Sequence, residues 1–465
     1  MKTLLKGLSV LILTAALAHA GDAPQTGDEK DLKKVIEENG IYVETAQKGI
    51  VLSGYVDTSY TYQFAGGAQT PSDSSAGLSG NGTTTREGAH FGKDPSTEAS
   101  FRSFDQNNDS FQVNAFKLAL EKPLPDENKL AAGFRADLMF GQDARYLNSL
   151  DSNGPKVLVG GLRNGPPATE ESVNEDIFLE QAYVQFRVPV GNGLDFKMGR
   201  FVSLMGYEVI ESPADLNFSR GLLFSNTMPL TNTGVMMSYK FNDIVDAQAG
   251  LVDGWDNSAA DTSGIQGFPL AVTGRVNVTA PGKNANVATS FIYSADGEPG
   301  TASPKFTENE SVFAANIWGN WAPKFADDKL LLGFNAVLGF ADAAQQDAAL
   351  AGTGSPVVND RTSTWSGIGL YSKYQFTKLF SLASRLEWLH GDNALKFSNI
   401  VPGASASPNV APGGDVDVWS WTATAGFNIW ENLLTRVEYR YDWSTDAYVN
   451  GQDQHEVSVN LVYTF

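Results

Sequence analysis

The chain has 465 residues, no cysteine and a formal net charge of −20. An acidic balance of this size argues against nucleic-acid binding, and the lack of cysteine removes disulfides and thiolate metal sites. The length suits several soluble domains or one large barrel.

The first residues, MKTLLKGLSVLILTAALAHA, join Lys2 and Lys6 to an apolar core from Leu8 to Leu17, with Ala18 and Ala20 before Gly21. That pattern predicts a secretory signal peptide over 1–20, cleaved after Ala20. A membrane anchor needs ~20 apolar residues, and this core is too short. No cysteine follows it to carry a lipid, and no later stretch is apolar enough for a spanning helix. If the exported chain crosses a membrane, it does so as a closed barrel, because backbone groups in lipid must pair internally. Only His90, His390 and His455 survive processing, far apart in sequence. They offer little material for a metal site or a histidine-based triad.

Residues 21–48 are polar and read as a periplasmic tail. Asp28 to Asn39 fits a short helix with Leu32, Val35 and Ile36 on one side. A periplasmic coiled-coil contact and a lumen plug are both open to it. A loose tail is favoured, because short helices are marginal alone.

Strand patterning then begins. From Leu52 to Phe64, Leu52, Val56, Tyr60, Tyr62 and Phe64 share one parity, and Ser53, Asp57, Ser59 and Gln63 the other. Successive side chains of a strand point to opposite faces, so one face is apolar and the other polar. Phe111 to Glu121 is less regular. Leu130 to Phe140 alternates cleanly around Arg135 and Asp137. Leu179 to Val188 and Leu194 to Phe201 flank the tight turn PVGNG. Long gaps near 205–231, 256–268, 295–309, 342–362, 391–416 and 444–454 alternate with short ones at FNDI, APGKNAN, APKFADDK, FTK and WEN. The last hairpin repeats the rule: Val437, Tyr439, Tyr441 and Trp443 oppose Arg436, Glu438, Arg440 and Asp442. Val457, Val459, Leu461, Tyr463 and Phe465 oppose Glu456, Ser458 and Asn460.

A soluble antiparallel sheet with one wet face gives the same alternation. It has no reason to keep all its long loops at one end. About sixteen strands, with long external loops and short periplasmic turns, predict an all-β fold: a transmembrane antiparallel β-barrel over 49–465. Tryptophan placement agrees. Trp388, Trp419, Trp421 and Trp443 sit where strands meet long loops, and Trp321 and Trp430 where they meet short turns, as membrane-interface aromatics do.

The segments GIVLSGYVDTSYTYQF, LEQAYVQF, KMGRFVSLMGYEVIESP, NFSRGLLFSNTMPLTNTG, VDGWDN, LASRLEWLHGDN and the final VYTF resemble the OmpL-like beta-barrel porin family. The resemblance runs from about residue 49 onward and is most specific over 196–236. It implies a bacterial outer-membrane location and a water-filled channel for passive diffusion of small hydrophilic solutes or ions. Partners in that setting are outer-membrane lipids and the barrel-assembly machinery, with a homotrimer as one open arrangement. Tyr463 and Phe465 look like the C-terminal assembly signal of such barrels.

The expected pore-lining residues are Arg135, Asp137, Arg187, Arg275, Arg385, Glu387, Arg436, Glu438, Arg440 and Asp442. A charge on the lipid face costs roughly 2–4 kcal/mol at the midplane, so their parity implies a wet lumen. Lys197, Lys373 and Asp195 share it. The ladder Arg436–Glu438–Arg440–Asp442 fits two roles equally: stiffening the wall by salt bridges, or setting a transverse field for solutes. The third external loop, 206–232, is apolar for a loop and should pack on something. The resemblance suggests that it folds inward. Glu208, Glu211 and Asp215, with Arg220 as counter-charge, would then face a basic wall across a constriction. Packing over the rim or at a subunit contact is the alternative.

No G-x-S-x-G or HExxH motif occurs, and His390 beside Asp392 fits the polar rim of a strand end, so no catalytic residue, metal or cofactor is expected. FDQNND, around Asp105, Asn107 and Asp109, lacks the glycine and glutamate of a calcium loop and reads as a turn. A structural or adhesive barrel with a blocked lumen is the competing function.

Overall fold

The computed structural model describes residues 49–66, 104, 110–150, 176–256, 270–294, 311–342, 362–392, 416–444 and 453–465. The expected signal peptide, the helix at 28–39 and the FDQNND turn lie outside these residues, apart from Phe104 at the turn's start.

Sixteen antiparallel strands close into one barrel, each paired with its neighbours in sequence and β1 with β16. They are β1 (Val51–Gly66), β2 (Ser110–Lys122), β3 (Ala131–Phe140), β4 (Ile177–Val188), β5 (Leu194–Val202), β6 (Thr231–Lys240), β7 (Val245–Val252) and β8 (Ala271–Thr279). The second half is β9 (Ala285–Ser294), β10 (Val312–Trp321), β11 (Leu330–Asp342), β12 (Thr362–Gln375), β13 (Phe380–Asp392), β14 (Val416–Trp430), β15 (Leu433–Ser444) and β16 (Asp453–Thr464). Short connections such as 189–193, 241–244 and 431–432 lie at one end and long ones such as 203–230 at the other. Asn432 makes the two-residue turn before β15 with φ 68°, a left-handed conformation that asparagine tolerates better than most side chains.

The parity read from sequence sets the two faces. Leu52 is 63% exposed, and Met198, Leu370, Val437, Val459 and Leu461 also point outward, whereas Asp57, Arg385, Glu438, Glu456 and Asn460 are buried inside. Phe465 closes the seam: its N–H donates to the Gly54 carbonyl at 3.0 Å and its carbonyl accepts from the Gly54 N–H at 2.9 Å. A Cβ on Gly54 would meet the Phe465 ring at 2.7 Å, so the glycine lets that ring lie against β1.

The irregularity of β2 has a cause. Asp57 pairs with Ala115 but Thr58 with Val113, so Asn114 is an extra residue. A second bulge lies on β4, where Asp137 pairs with Gln181 and Leu138 with Leu179. Such bulges re-aim side chains. Asn114 and Glu180 both end up buried.

Among the described residues two α-helices sit beyond the strands: α1 (Gln142–Leu150) after β3, and α2 (Leu222–Asn226) within loop three, the segment 203–230. Loop three carries much of the interior packing. Leu204, Met205, Leu222, Leu223 and Met228 join inward residues of β5–β14, including Met236, Ile292, Val337, Trp365, Leu389 and Val418, in one apolar cluster in which no member is more than 7% exposed. Ile210, Phe224 and Leu230 join a second cluster with Phe104, Met139, Leu147 and Phe178.

Candidate functional site: loop three and the lumen wall

All ten residues expected to line the lumen lie on inward parity, but they fall into two environments. On β13–β15 the charged side chains are buried under loop three. Arg385 Nη1 donates to Glu208 Oε1 at 2.6 Å and to the Ser219 carbonyl at 2.5 Å. Arg436 Nη1 donates to the Ser212 and Asn217 carbonyls, both at 2.9 Å, and Arg440 Nη1 to the Arg220 carbonyl at 2.8 Å. The carboxylates work in the opposite sense. Glu438 accepts from the N–H groups of Phe218 at 2.6 Å and Ser219 at 2.9 Å. Glu387 accepts from those of Leu222 at 2.8 Å and Leu223 at 3.2 Å, at the start of α2. Alternating charges on the wall thus satisfy alternating donors and acceptors of the loop backbone, which would otherwise be buried unpaired.

This differs from the arrangement expected from sequence. Glu208 does not face the basic wall across a wet gap but touches Arg385, while Glu211 pairs with Lys117 on β2 and Asp215 bonds within the loop. Within the ladder, Arg440 pairs with Asp442 at 2.9 Å. Arg436 and Glu438 turn to the loop instead. The difference arises because charge parity reports which face a residue occupies, not what fills the space in front of it.

The opposite edge of loop three is clamped to β2–β4 and α1. Lys117 Nζ lies 2.5 Å from Glu211, 2.7 Å from Glu180 and 3.1 Å from Asp137. Those three carboxylates approach within 4.8 Å of one another, and the lysine sits where a cation would. Arg220 donates to Asp143 of α1 at 2.7 Å. Parity reasoning missed Lys117 and Glu180, two residues of this clamp. Lys117 lies on the irregular strand, and Glu180 has lipid-face parity until the β4 bulge turns it inward.

The loop carboxylates have unlike proton affinities. Burial pushes the Glu211 carboxyl up, but the Lys117 ammonium and the Arg135 guanidinium hold it down at about 2. Burial raises the Glu208 carboxyl to about 7, despite the pull of Arg385. One guanidinium there serves two buried carboxylates, since Arg385 Nε also lies 3.1 Å from Glu387. Asp215 is raised well above its ordinary value by burial and by Glu208. Its Oδ1 accepts from the Val209 N–H, inside the loop, rather than from the wall.

Glycines on the wall make room for the loop. A Cβ on Gly333 would lie 2.5 Å from the Tyr207 ring, and one on Gly367 would run into Leu223 Cδ2. Trp365 donates from Nε1 to the Thr227 carbonyl at 3.1 Å.

The β3–β8 wall is different. Arg135 pairs with Asp137 and Glu121, and Arg187 with Asp195 through two bonds of 2.7 Å. Arg275 reaches Asp246 only at 3.7 Å, and both are partly exposed, at 24% and 35%. Lys197 lies over the Phe201 and Tyr183 rings, 4.4 and 5.4 Å from their centroids.

The interface aromatics point outward. Trp421, Trp321 and Trp430 are exposed, Trp430 at 72%, and Trp419 stacks on Trp443 with centroids 6.1 Å apart. Trp388 donates to Asp417 at 2.7 Å, and His390 contacts the same carboxylate at 3.2 Å on the outward face. Tyr463 and Phe465 are exposed on that face too.

The fold is shared with solved outer-membrane barrels. The outer membrane channel DcaP of Acinetobacter baumannii superposes with a TM-score of 0.51 at 10% identity, over 91% of this chain and 99% of that one. OprB of Pseudomonas putida gives 0.52 at 12%, over 95% and 98%. No curated protein matches the chain in sequence. The family described as "Putative beta-barrel porin-2, OmpL-like" matches residues 49–465, and with a closed barrel over the same span the chain belongs to that family of porins.

Proposed function

We propose that this outer-membrane porin passes small hydrophilic solutes or ions by passive diffusion, with loop three as its restriction. The observation that carries the reading is an inward face on β2–β5, β7 and β8 where Glu121, Arg135, Arg187, Asp195, Asp246 and Arg275 stay partly exposed. A charge inside a barrel is costly unless it is paired or wetted, and solute pathways account for such residues. Residues 1–20 direct export and are removed after Ala20. The barrel then inserts among outer-membrane lipids through the assembly machinery, which reads Tyr463 and Phe465. Deleting Phe465 should lower outer-membrane insertion and leave signal-peptide cleavage intact. A homotrimer fits the same setting and is tested by cross-linking in intact membranes.

One observation favours a second reading, a structural or adhesive barrel with a blocked lumen. The apolar cluster that loop three forms with β5–β14 leaves its members almost without exposure. Single-channel recording in a planar bilayer separates the two. A porin gives stable open steps with the wild-type protein. A blocked barrel is silent, and conducts only after loop three is released by substitution of its clamps.

A further inference from the structure

Charge on the lumen wall divides by accessibility. Glu180, Glu387, Glu438, Asp442 and Asp57 are buried to 2% exposure or less, beneath loop three or against neighbouring polar side chains. A solute in the lumen does not meet them. In the half of the barrel nearer the short turns, the partly exposed inward carboxylates are Glu121, Asp195 and Asp246, and each has an arginine: Arg135, Arg187 and Arg275 respectively. Two further inward cations are partly exposed, Lys197 on β5 and Lys373 on β12. Neither has a carboxylate within ion-pair distance among the described residues. They stand seven strands apart in a ring of sixteen, on opposite sides of the lumen.

Arg275, three strands from Lys197 on the same wall, lies close enough to act electrostatically on its ammonium, and its Nε is buried with no hydrogen-bond partner. It lies beside Gln248, which pairs with it in register and which donates from Nε2 to Ser238 at 3.0 Å. On the other side the Lys197 ammonium is held over aromatic faces, which favour a cation without neutralising it.

We propose that Lys197 and Lys373, with Arg275, make the short-turn half of the lumen an anion-binding vestibule that biases transport toward small anionic solutes, inorganic or carboxylate. The net charge of the chain is −20, yet the accessible wall of this vestibule is basic. The inference rests on the channel reading above and names its solute class. Uncompensated charge in a wet lumen acts over about 8 Å at physiological salt and about 30 Å at 0.01 M, so the bias is strongest in dilute electrolyte.

The test is the reversal potential of the full mature protein in a planar bilayer under a KCl gradient, at low and at high salt. Wild type should sit on the chloride side, more so at low salt. Lys197→Gln with Lys373→Gln should move it toward potassium, while Lys197→Arg with Lys373→Arg should hold it at the wild-type value. Open steps with a cation-selective wild type, or with no shift in the glutamine pair, overturn the inference and leave the channel reading standing. Absence of open steps in wild type overturns both, whether or not a loop-released variant conducts. Heat-modifiable migration of each variant on gels shows that the barrel has closed.

Discussion

Arg385 on β13 and Arg275 on β8 are both inward arginines near mid-strand, yet they occupy opposite environments. Arg385 is fully buried and touches Glu208, Glu387, Ser219 and Thr422. Arg275 is partly exposed, has one loose carboxylate and keeps a buried N–H without a partner. The difference lies in what faces them. Loop three lies on the β13–β15 wall and converts its charges into backbone clamps, while Arg187, Asp195, Asp246 and Arg275 on β4, β5, β7 and β8 stay partly exposed. The same residue type at the same parity is therefore paired and buried on one side and loosely paired and partly exposed on the other.

The largest effect should come from breaking the clamp. Arg385→Ala leaves Glu208 and Glu387 buried without their cation, a loss of about 3–5 kcal/mol for a broken buried pair. Loop three should undock. Trypsin added to reconstituted barrels should then cut at Arg220, and conductance should rise. A loop that stays resistant, with unchanged conductance, would show that the apolar contacts hold it unaided.

Those apolar contacts can be attacked separately. Gly367→Val places methyl groups where Leu223 lies, and overpacking of this kind costs about 1–3 kcal/mol. Barrel melting should fall and conductance should rise by less than in Arg385→Ala. Adding Leu223→Ala should recover part of the loss. If the double variant is no better than the single one, the steric account of Gly367 is wrong.

These contacts mark the limit of what the sequence alone reveals. Strand number, the two faces and the inward charges follow from a period of two, which is a local property of the chain. Asp137, Arg187 and Glu438 were legible for that reason. Lys117 and Glu180 were not, because the bulges at Asn114 and Glu180 shift parity by one residue. The role of Glu438 is hidden for another reason. Its partners, Phe218 and Ser219, lie about 220 residues away, and they are backbone groups that carry no sequence signature. Gly333 and Gly367 are visible only as interruptions of a strand until Tyr207 and Leu223 are seen against them.

Acidity offers a smaller and reversible perturbation. The Glu208 carboxyl is raised from an ordinary 4.5 to about 7 in the docked loop, so docking binds protons more tightly than release does. The docked state therefore weakens as pH rises from about 4.5 to about 7, and Asp215, also raised, acts in the same direction. Glu211, lowered to about 2, contributes docking energy that is complete above its ordinary value and is lost only below it, as pH falls toward 2. Open probability should climb between about pH 5 and pH 7. Glu208→Gln should remove its share of that climb, leaving the share due to Asp215. An unaltered pH profile in Glu208→Gln would remove Glu208 from the response.

The smallest effect is expected on the open wall. Arg187 and Asp195 make two bonds of 2.7 Å, a geometry as good as that of Arg385 with Glu208. They are, however, 17% and 29% exposed near the short turns, where water reaches both. Exposed pairs contribute about 0.2–1 kcal/mol, because the high dielectric weakens their attraction and removal leaves little unsatisfied charge. Arg187 also donates to the Pro125 carbonyl at 2.6 Å, so it holds the 123–130 turn as well as its carboxylate. Replacing the pair by Arg187→Gln with Asp195→Asn keeps side-chain volume and local neutrality, and the glutamine amide can still donate to that carbonyl. Melting temperature, conductance and reversal potential should all stay close to wild type. A large loss of stability here would mean that this wall is as dry as the one beneath loop three, and the contrast between Arg385 and Arg275 would then reflect local packing rather than access to the lumen.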